Sequence, residues 1–151
     1  MRKVLIGLAL VLAFAGPVAA ADELPFKGNL SGSVTVTPIA PPLVSALIQG
    51  GGTATMLGRY TVEVDHIVNQ ATRVGVGTYV FTAANGDTLT ASFSGQATLV
   101  APGVLTVAET GTFVSGTGRF AGATGGFTAS RVFTVATATT TGTFEGSISL
   151  P

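Results

Sequence analysis

The stretch Gly77–Gly95, with the sequence GTYVFTAANGDTLTASFSG, contains two runs in which every second residue is small or apolar, separated by an Asn-Gly pair. Successive side chains of a β-strand point to opposite faces, so this period of two predicts two strands that each bury one face. An Asn-Gly pair between such runs is a strong signal for a hairpin turn. The stretch therefore predicts an antiparallel pair of strands.

The length of the turn decides which side chains of this hairpin face each other. A two-residue turn pairs Phe81 with Thr90, which sets an apolar side chain beside a polar one. A loop one residue longer pairs Phe81 with Ala91 and Tyr79 with Phe93. Because a slip of one residue moves a whole strand to its other face, the apolar pattern favours the second register.

The same alternation continues on both sides of this hairpin. Seven segments show it: Phe26–Val36, Tyr60–Val68, Gly77–Ala83, Leu89–Gly95, Leu105–Phe113, Phe127–Val135 and Phe144–Leu150. The segment Pro41–Gln49 fits either a short helix opened by proline or a strand, and its alternating Val44, Ala46 and Ile48 favour the strand. The chain is rich in Thr and Val, whose branched side chains suit strands.

About eight short antiparallel strands in sequence predict an all-β meander that closes into a barrel or folds into a sandwich. Several glycines fall on the apolar faces, among them Gly28, Gly77 and Gly146. Glycine relieves crowding where a sheet bends sharply, so these positions favour a barrel. Pro102-Gly103 is a further turn signal, and 69–72 and 136–141 are predicted loops.

Residues 1–20 have the features of a secretory signal peptide. Arg2 and Lys3 precede the apolar run Val4–Phe14, and Val18–Ala20 supplies the small residues that signal peptidase requires. Eleven apolar residues are too few to span about 30 Å of hydrocarbon, so no stable membrane anchor is predicted. We expect cleavage near Ala20, export to the periplasm or beyond the cell, and a single domain over residues 21–151.

The composition narrows the classes of partner. The seven basic residues fall to five without Arg2 and Lys3, against seven acidic ones, so the exported chain carries a charge near −2. With no basic patch, nucleic acid is not an expected partner. There is no cysteine and one histidine, and no carboxylate cluster has ligand spacing, so neither a disulfide framework, a metal site nor a cofactor is predicted.

The stretch Gly116–Phe127, GTGRFAGATGGF, matches the G-x-G-x-x-A spacing of a dinucleotide-binding turn. That fingerprint needs a helix after it, yet the following residues alternate like a strand. We therefore expect a connector between adjacent antiparallel strands. Its conformation would rely on the freedom of glycine. Phe120, near its centre, would cap an end of the core. The connector residues concerned are Gly116, Gly118, Phe120, Gly122 and Gly125.

The connector also predicts a pair of charges. Glu109 and Arg131 each lie 11 residues from Phe120, on the apolar faces of their strands, so a symmetric hairpin places them opposite each other. Such a pair either satisfies two buried charges or orients the polar group of a ligand inside the barrel.

Two further residues are candidates for the lining of an internal cavity. His66 falls on an apolar face, opposite Gly77 in the expected register, where there is room for its ring or for a small ligand. Tyr79 lies on the inner face of the next strand. A lone histidine is compatible with a core position as well as with a site, and no G-x-S-x-G motif accompanies it.

Four stretches carry a resemblance: GRYTVEVDHIV, GTYVFTAANGDTLTASFSGQAT, GVLTVAETGTFVSGTGRFAGATGGFTASR and TTGTFEGSIS. Together they resemble small exported bacterial proteins of the allene oxide cyclase and dirigent β-barrel superfamily, over nearly all of the chain after residue 20. The resemblance implies eight antiparallel strands, a ligand cavity and, often, a dimer or trimer. The plant cyclases convert an unsaturated fatty-acid epoxide, and dirigent proteins steer radical coupling. Their catalytic residues find no position-by-position match here.

Three classes of function remain open at this stage. The first is a binding or structural barrel that holds a small apolar ligand, as a monomer or a homo-oligomer. The second is a cyclase or isomerase that works in the cavity through Glu109, Arg131, His66 or Tyr79. The third is an outer-membrane barrel, which requires an apolar outward band with aromatic girdles.

Overall fold

The computed structural model describes residues 21–151 together with Gly16. The predicted signal peptide and its cleavage site lie almost wholly outside the described residues. Eight strands form the structure: β1 (Glu23–Ala40), β2 (Leu43–Ala54), β3 (Gly58–Asn69), β4 (Val74–Thr82), β5 (Thr88–Ala101), β6 (Val104–Gly116), β7 (Thr124–Thr134) and β8 (Thr139–Ser149). Each pairs antiparallel with the next, and β8 pairs with β1, so the sheet is a closed barrel. The prediction of an all-β, eight-stranded antiparallel meander barrel is confirmed.

The segment that fitted either helix or strand is a strand. Val44, Ala46 and Ile48 of β2 point inward, as the alternation predicted. The predicted loop at 136–141 is shorter than expected, because β8 begins at Thr139. No helix among the described residues has the length and hydropathy to cross a membrane.

The register of the β4–β5 hairpin, in the stretch Gly77–Gly95, differs from the prediction. Tyr79 pairs with Ala91, and Phe81 pairs with Leu89. The turn extends over five residues, in which the amide of Ala83 donates to the carbonyl of Asp87 at 2.8 Å. The shift relative to the prediction is two residues, so the inward and outward faces are preserved although the partners are not.

The connector 117–123 joins β6 to β7 as neighbouring antiparallel strands, and no βαβ unit surrounds it. It contains one 3-10 turn, Gly118–Phe120, which the sequence analysis did not predict. Phe120 is fully buried, as predicted. Gly118 and Gly122 have positive φ angles of 56° and 74°, a conformation that favours glycine.

The two ends of the barrel differ in their filling. We call the end near 55–57, 83–87 and the connector the packed end, and the end near 41–42, 70–73, 102–103 and 135–138 the open end. The inward-facing aromatic residues of the packed end form one buried cluster: Phe26, Tyr60, Phe81, Phe113, Phe120, Phe127 and Phe144. Their ring centroids lie 4.9–6.0 Å apart where they contact, in tilted, edge-to-face and stacked arrangements.

The outer wall carries mainly Thr and Ser. On β8, for example, Thr141, Thr143 and Glu145 are exposed, while Phe144 and Ile148 are buried. Both tyrosines and eight of the nine phenylalanines lie within the described strands or connector and point inward or line the cavity. The described wall therefore lacks the outward aromatic girdles that an outer-membrane barrel requires.

Candidate functional site

A cavity of about 280 Å³ occupies the interior at the open end. Its walls are apolar, with Val34, Val44, Ala46, Phe93, Val107 and Phe133 among the lining residues. Five side chains that can form polar contacts also line it: His66, Glu109 and Arg131 in its interior, and Gln70 and Arg73 from the 70–73 connection at the open end. This volume lies just below the usual range of about 300–1,000 Å³ for small-molecule sites, so the cavity suits a compact ligand.

Glu109 and Arg131 form a buried ion pair. Nε of Arg131 donates to Oε2 of Glu109 at 3.1 Å, and Nη2 donates to Oε1. The hydroxyl of Tyr79 also donates to Oε2 of Glu109. Nη1 of Arg131 donates to Oγ1 of Thr140 at 2.9 Å, and that hydroxyl donates to the carbonyl of Val132 at 3.1 Å. Every member of this polar cluster (Tyr79, Glu109, Arg131, Thr140) is therefore hydrogen-bonded.

The prediction that these two charges face each other in register is wrong. Glu109 pairs with Ala129, and Arg131 pairs with Val107. The connector is asymmetric because its 3-10 turn precedes Gly122, so the centre of the pairing shifts by one residue from Phe120. The ion pair forms across a diagonal of the sheet, which a long arginine side chain can span.

Glycine opposite each charge makes room for the pair. Gly95 pairs with Glu109, and a Cβ there would lie 2.6 Å from Cγ of Glu109. Gly142 pairs with Arg131, and a Cβ there would lie 2.9 Å from Cγ of Arg131. The inward glycines thus admit two charged side chains to the interior, in addition to easing curvature.

Burial and neighbouring charge act on the cluster in opposite directions. Burial lowers the pKa of Arg131, but the hydrogen bonds and charge of Glu109 outweigh that effect, and the pKa is raised overall. Burial, followed by the charge of Glu109, raises the pKa of Tyr79 well above its ordinary value. At neutral pH Arg131 is therefore a charged guanidinium and Tyr79 a neutral phenol, and the ion pair with Glu109 balances the charge of Arg131.

His66 lies beside the cluster on β3. It pairs with Gly77, as expected, and its ring centroid lies 5.5 Å from that of Phe93. Its buried Nδ1 has no hydrogen-bond partner. Burial and then the charge of Arg131 lower the pKa of His66, and Glu109 opposes them only in part. The imidazole is therefore neutral at pH 7.

The structure thus brings Glu109, Arg131 and His66 together at the cavity, while the fully buried Tyr79 reaches them through Glu109. The sequence analysis missed Thr140, because it placed that residue in a loop. Its signal was alternation with the inward Gly142 and Phe144. Among the described residues, no three His, Cys, Asp or Glu side chains are grouped as a metal site would need.

A wider depression of about 990 Å³ lies on the outer wall. Short polar side chains such as Thr53, Thr110 and Thr128 line much of it. Lys27 and Glu145, also at its edge, are neighbours on paired strands. It shares Glu109 with the open-end cavity, but most of its lining is exposed to solvent and it includes neither His66 nor Arg131, so the open-end cavity is the stronger candidate site.

Comparison with models of protein families, with curated proteins and with solved structures finds no match to this chain.

Proposed function

We propose that the barrel binds a small, mostly apolar, uncharged molecule in the open-end cavity. The observation that carries this proposal is the contrast within one interior. Aromatic side chains fill the packed end, whereas the open end leaves about 280 Å³ between apolar walls and a polar cluster. Apolar walls with a few converging polar groups are typical of small-molecule sites.

The charges favour a neutral ligand over an anionic one. Glu109 already neutralises Arg131, so an anionic ligand would meet an adjacent carboxylate. Of the five N–H groups of Arg131, three donate to Glu109 and Thr140, which leaves two for the Tyr79 oxygen or a ligand. These remaining N–H groups suit the oxygen of a hydroxyl or carbonyl group.

The contacts support binding more than catalysis. Both carboxylate oxygens of Glu109 accept hydrogen bonds, one of them from Tyr79 as well as Arg131. Three of the roughly four acceptor sites of this carboxylate are thus occupied by Arg131 and Tyr79, which leaves it little capacity to take a proton from a ligand. The cyclase or isomerase alternative therefore has less support. The resemblance to allene oxide cyclase and dirigent barrels, export, and a homo-oligomeric state stay predictions.

The test begins with the protein as it accumulates in its own host. Native mass spectrometry should detect a bound small molecule, released on activation, together with the number of subunits. Titration with three matched probes then tests the chemistry of the site. We expect 1-naphthol to bind more tightly than naphthalene, and 1-naphthoate to bind most weakly. Tightest binding of 1-naphthoate, or no binding of any probe with no ligand in the host protein, would contradict the proposal.

A substitution localises the binding. Ala46→Phe should reduce 1-naphthol binding, because Ala46 lines the cavity and a phenyl group there would occupy it. Val76→Phe is the control, because Val76 is exposed on the outer wall. Equal loss in both variants would show that the probe binds elsewhere.

A further inference from the structure

The open end carries a rim of exposed apolar side chains around the cavity mouth. This apolar rim consists of Ile39, Leu43, Val74, Leu99, Val100 and Val135. They lie on or next to all four connections at that end. Val36, Leu105 and Val135 continue the apolar surface into the cavity wall. Apolar side chains thus extend from the outside of the mouth into the cavity, with Gln70 and Arg73 as polar members of the lining.

Formal charge is almost excluded from this end. Across the described segments 34–48, 66–74, 96–107 and 133–140, the sole residue charged at neutral pH is Arg73, because His66 is neutral. The external carboxylates lie elsewhere: Asp22, Glu23, Glu63, Asp65, Asp87 and Glu145. The open end of the barrel is therefore apolar and carries Arg73 as its single charge. The other external charged residues lie on the outer wall and at the packed end.

We propose that the apolar rim docks on a lipid surface, with the cavity mouth turned toward the acyl chains. Exposed apolar tips are costly in water and gain by entering the boundary between headgroups and acyl chains. Arg73, beside Val74 at the rim, complements anionic headgroups. The inference goes beyond ligand binding and does not depend on it, because it rests on side chains exposed at the mouth and not on an occupied cavity, although Val135 and Arg73 also line the cavity.

Two features favour lipid over a protein partner. The rim side chains project from strand ends beside four separate connections, with Val135 in a connection itself. They include no Tyr, Trp or Arg anchor packed at a centre, which a protein interface commonly uses. A second copy docked rim to rim would bring two Arg73 residues together with no carboxylate on either rim. A fluid lipid surface accommodates separate apolar tips and supplies the anion.

Vesicle flotation of the full chain tests the proposal. The rim variant Ile39→Ser/Leu43→Ser/Val100→Ser removes side chains that are 54%, 38% and 57% exposed. The wall variant Val76→Ser/Val80→Ser/Val114→Ser removes side chains that are 53%, 36% and 58% exposed, and is the matched control. Residues 1–20 are identical in both proteins, so any contribution from them cancels.

On phosphatidylcholine vesicles containing phosphatidylglycerol, the rim variant should partition about tenfold or more weakly than the parent chain. The wall variant should stay within about twofold. Arg73→Gln should weaken binding to these vesicles and leave binding to pure phosphatidylcholine unchanged. Circular dichroism with thermal unfolding confirms that each variant is folded, which is expected because the substituted side chains are exposed.

Equal partitioning of the rim and wall variants would overturn the proposal. So would a parent chain that sediments as a dimer without lipid while the rim variant sediments as a monomer, since the rim would then be covered by a second copy. Failure of 1-naphthol to bind, with rim-dependent flotation intact, would instead contradict the ligand proposal alone.

Discussion

The packed end and the open end of this barrel are built from the same eight strands, yet they differ in what fills them. At the packed end most strands contribute a large inward side chain, and Phe120 of the connector closes the end. At the open end most inward positions carry Val, Ala or Gly, and the space between the side chains stays empty. Phe93, Leu105 and Phe133 line this space without filling it. A barrel of eight strands is just wide enough for side chains to fill or for one small ligand to occupy. Side-chain size alone therefore decides which outcome each end adopts.

The polar cluster marks the boundary between the two ends. On its packed side the ring of Tyr79 stacks on Phe81 at 5.4 Å, and on its open side Glu109 and Arg131 line the cavity. Glu109 and Arg131 are nearly inaccessible to solvent, so each depends on the other to stabilise its charge. The cluster thus fixes the floor of the cavity.

The largest effect is expected at this boundary. Glu109→Gln alone and Arg131→Met alone should each lower the free energy of unfolding by about 3–5 kcal/mol, because each leaves a buried charge unpaired. The double variant should lose less than the sum, since no unpaired charge remains. Urea unfolding of all four proteins measures the coupling. If the two single losses add up to the loss in the double variant to within about 0.5 kcal/mol, the two charges are not energetically paired.

A smaller change in stability is expected when a glycine is replaced by alanine at each end of the barrel. At Gly111 of the packed end an added Cβ would lie 2.6 Å from the Phe127 ring, whereas at Gly75 of the open end the nearest atoms are 3.5 Å away. Gly111→Ala should therefore destabilise the fold by about 1–3 kcal/mol through overpacking. Gly75→Ala should be neutral or stabilise by about 0.4–1 kcal/mol. Chemical denaturation compares the two, and equal losses would contradict the difference in filling.

The smallest effect concerns pH. The pKa of His66 is lowered in the folded state, so below its unfolded value of about 6.5 the unfolded chain binds more protons. Stability should then fall as pH falls below about 6.5, by at most about 1.4 kcal/mol per pH unit. His66→Phe should lack this slope between roughly pH 6.5 and 5. Arg131, Glu109 and Asp65, the charged groups that act on His66, are unchanged in that variant. Parallel pH profiles would contradict a buried neutral imidazole.

The alternation of the sequence predicted the strands well because a closed barrel has an inside and an outside along its whole length, which gives every strand a period of two. It did not predict the registers of the β4–β5 and β6–β7 hairpins. The Phe81 and Leu89 pairing depends on a five-residue turn, and the Glu109 and Ala129 pairing depends on an asymmetric connector. Both errors were shifts by an even number of residues, so the inward faces were still identified.

The meeting of Glu109 with Arg131 could be anticipated because both lie on apolar faces, and a long arginine reaches diagonal neighbours. The cavity could not be anticipated from the sequence, since it depends on how inward side chains from eight strands meet at one level of the barrel. A signal was present in the uneven spacing of the aromatic residues. Phe26, Phe81, Phe113 and Phe127 all lie in the half of their strand that is nearer the packed end.

The difference between the two ends is tested most directly by locating a bound probe. The measurement is a methyl carbon–proton NMR spectrum of the labelled protein during titration with 1-naphthol. We predict saturable shifts for methyl groups of Val44, Ala46 and Val107 at the open end, and unchanged positions for Leu89, Ala123 and Ile148 at the packed end. Saturable shifts confined to the packed end, or spread evenly over both ends, would contradict a barrel that is filled at one end and open to a ligand at the other.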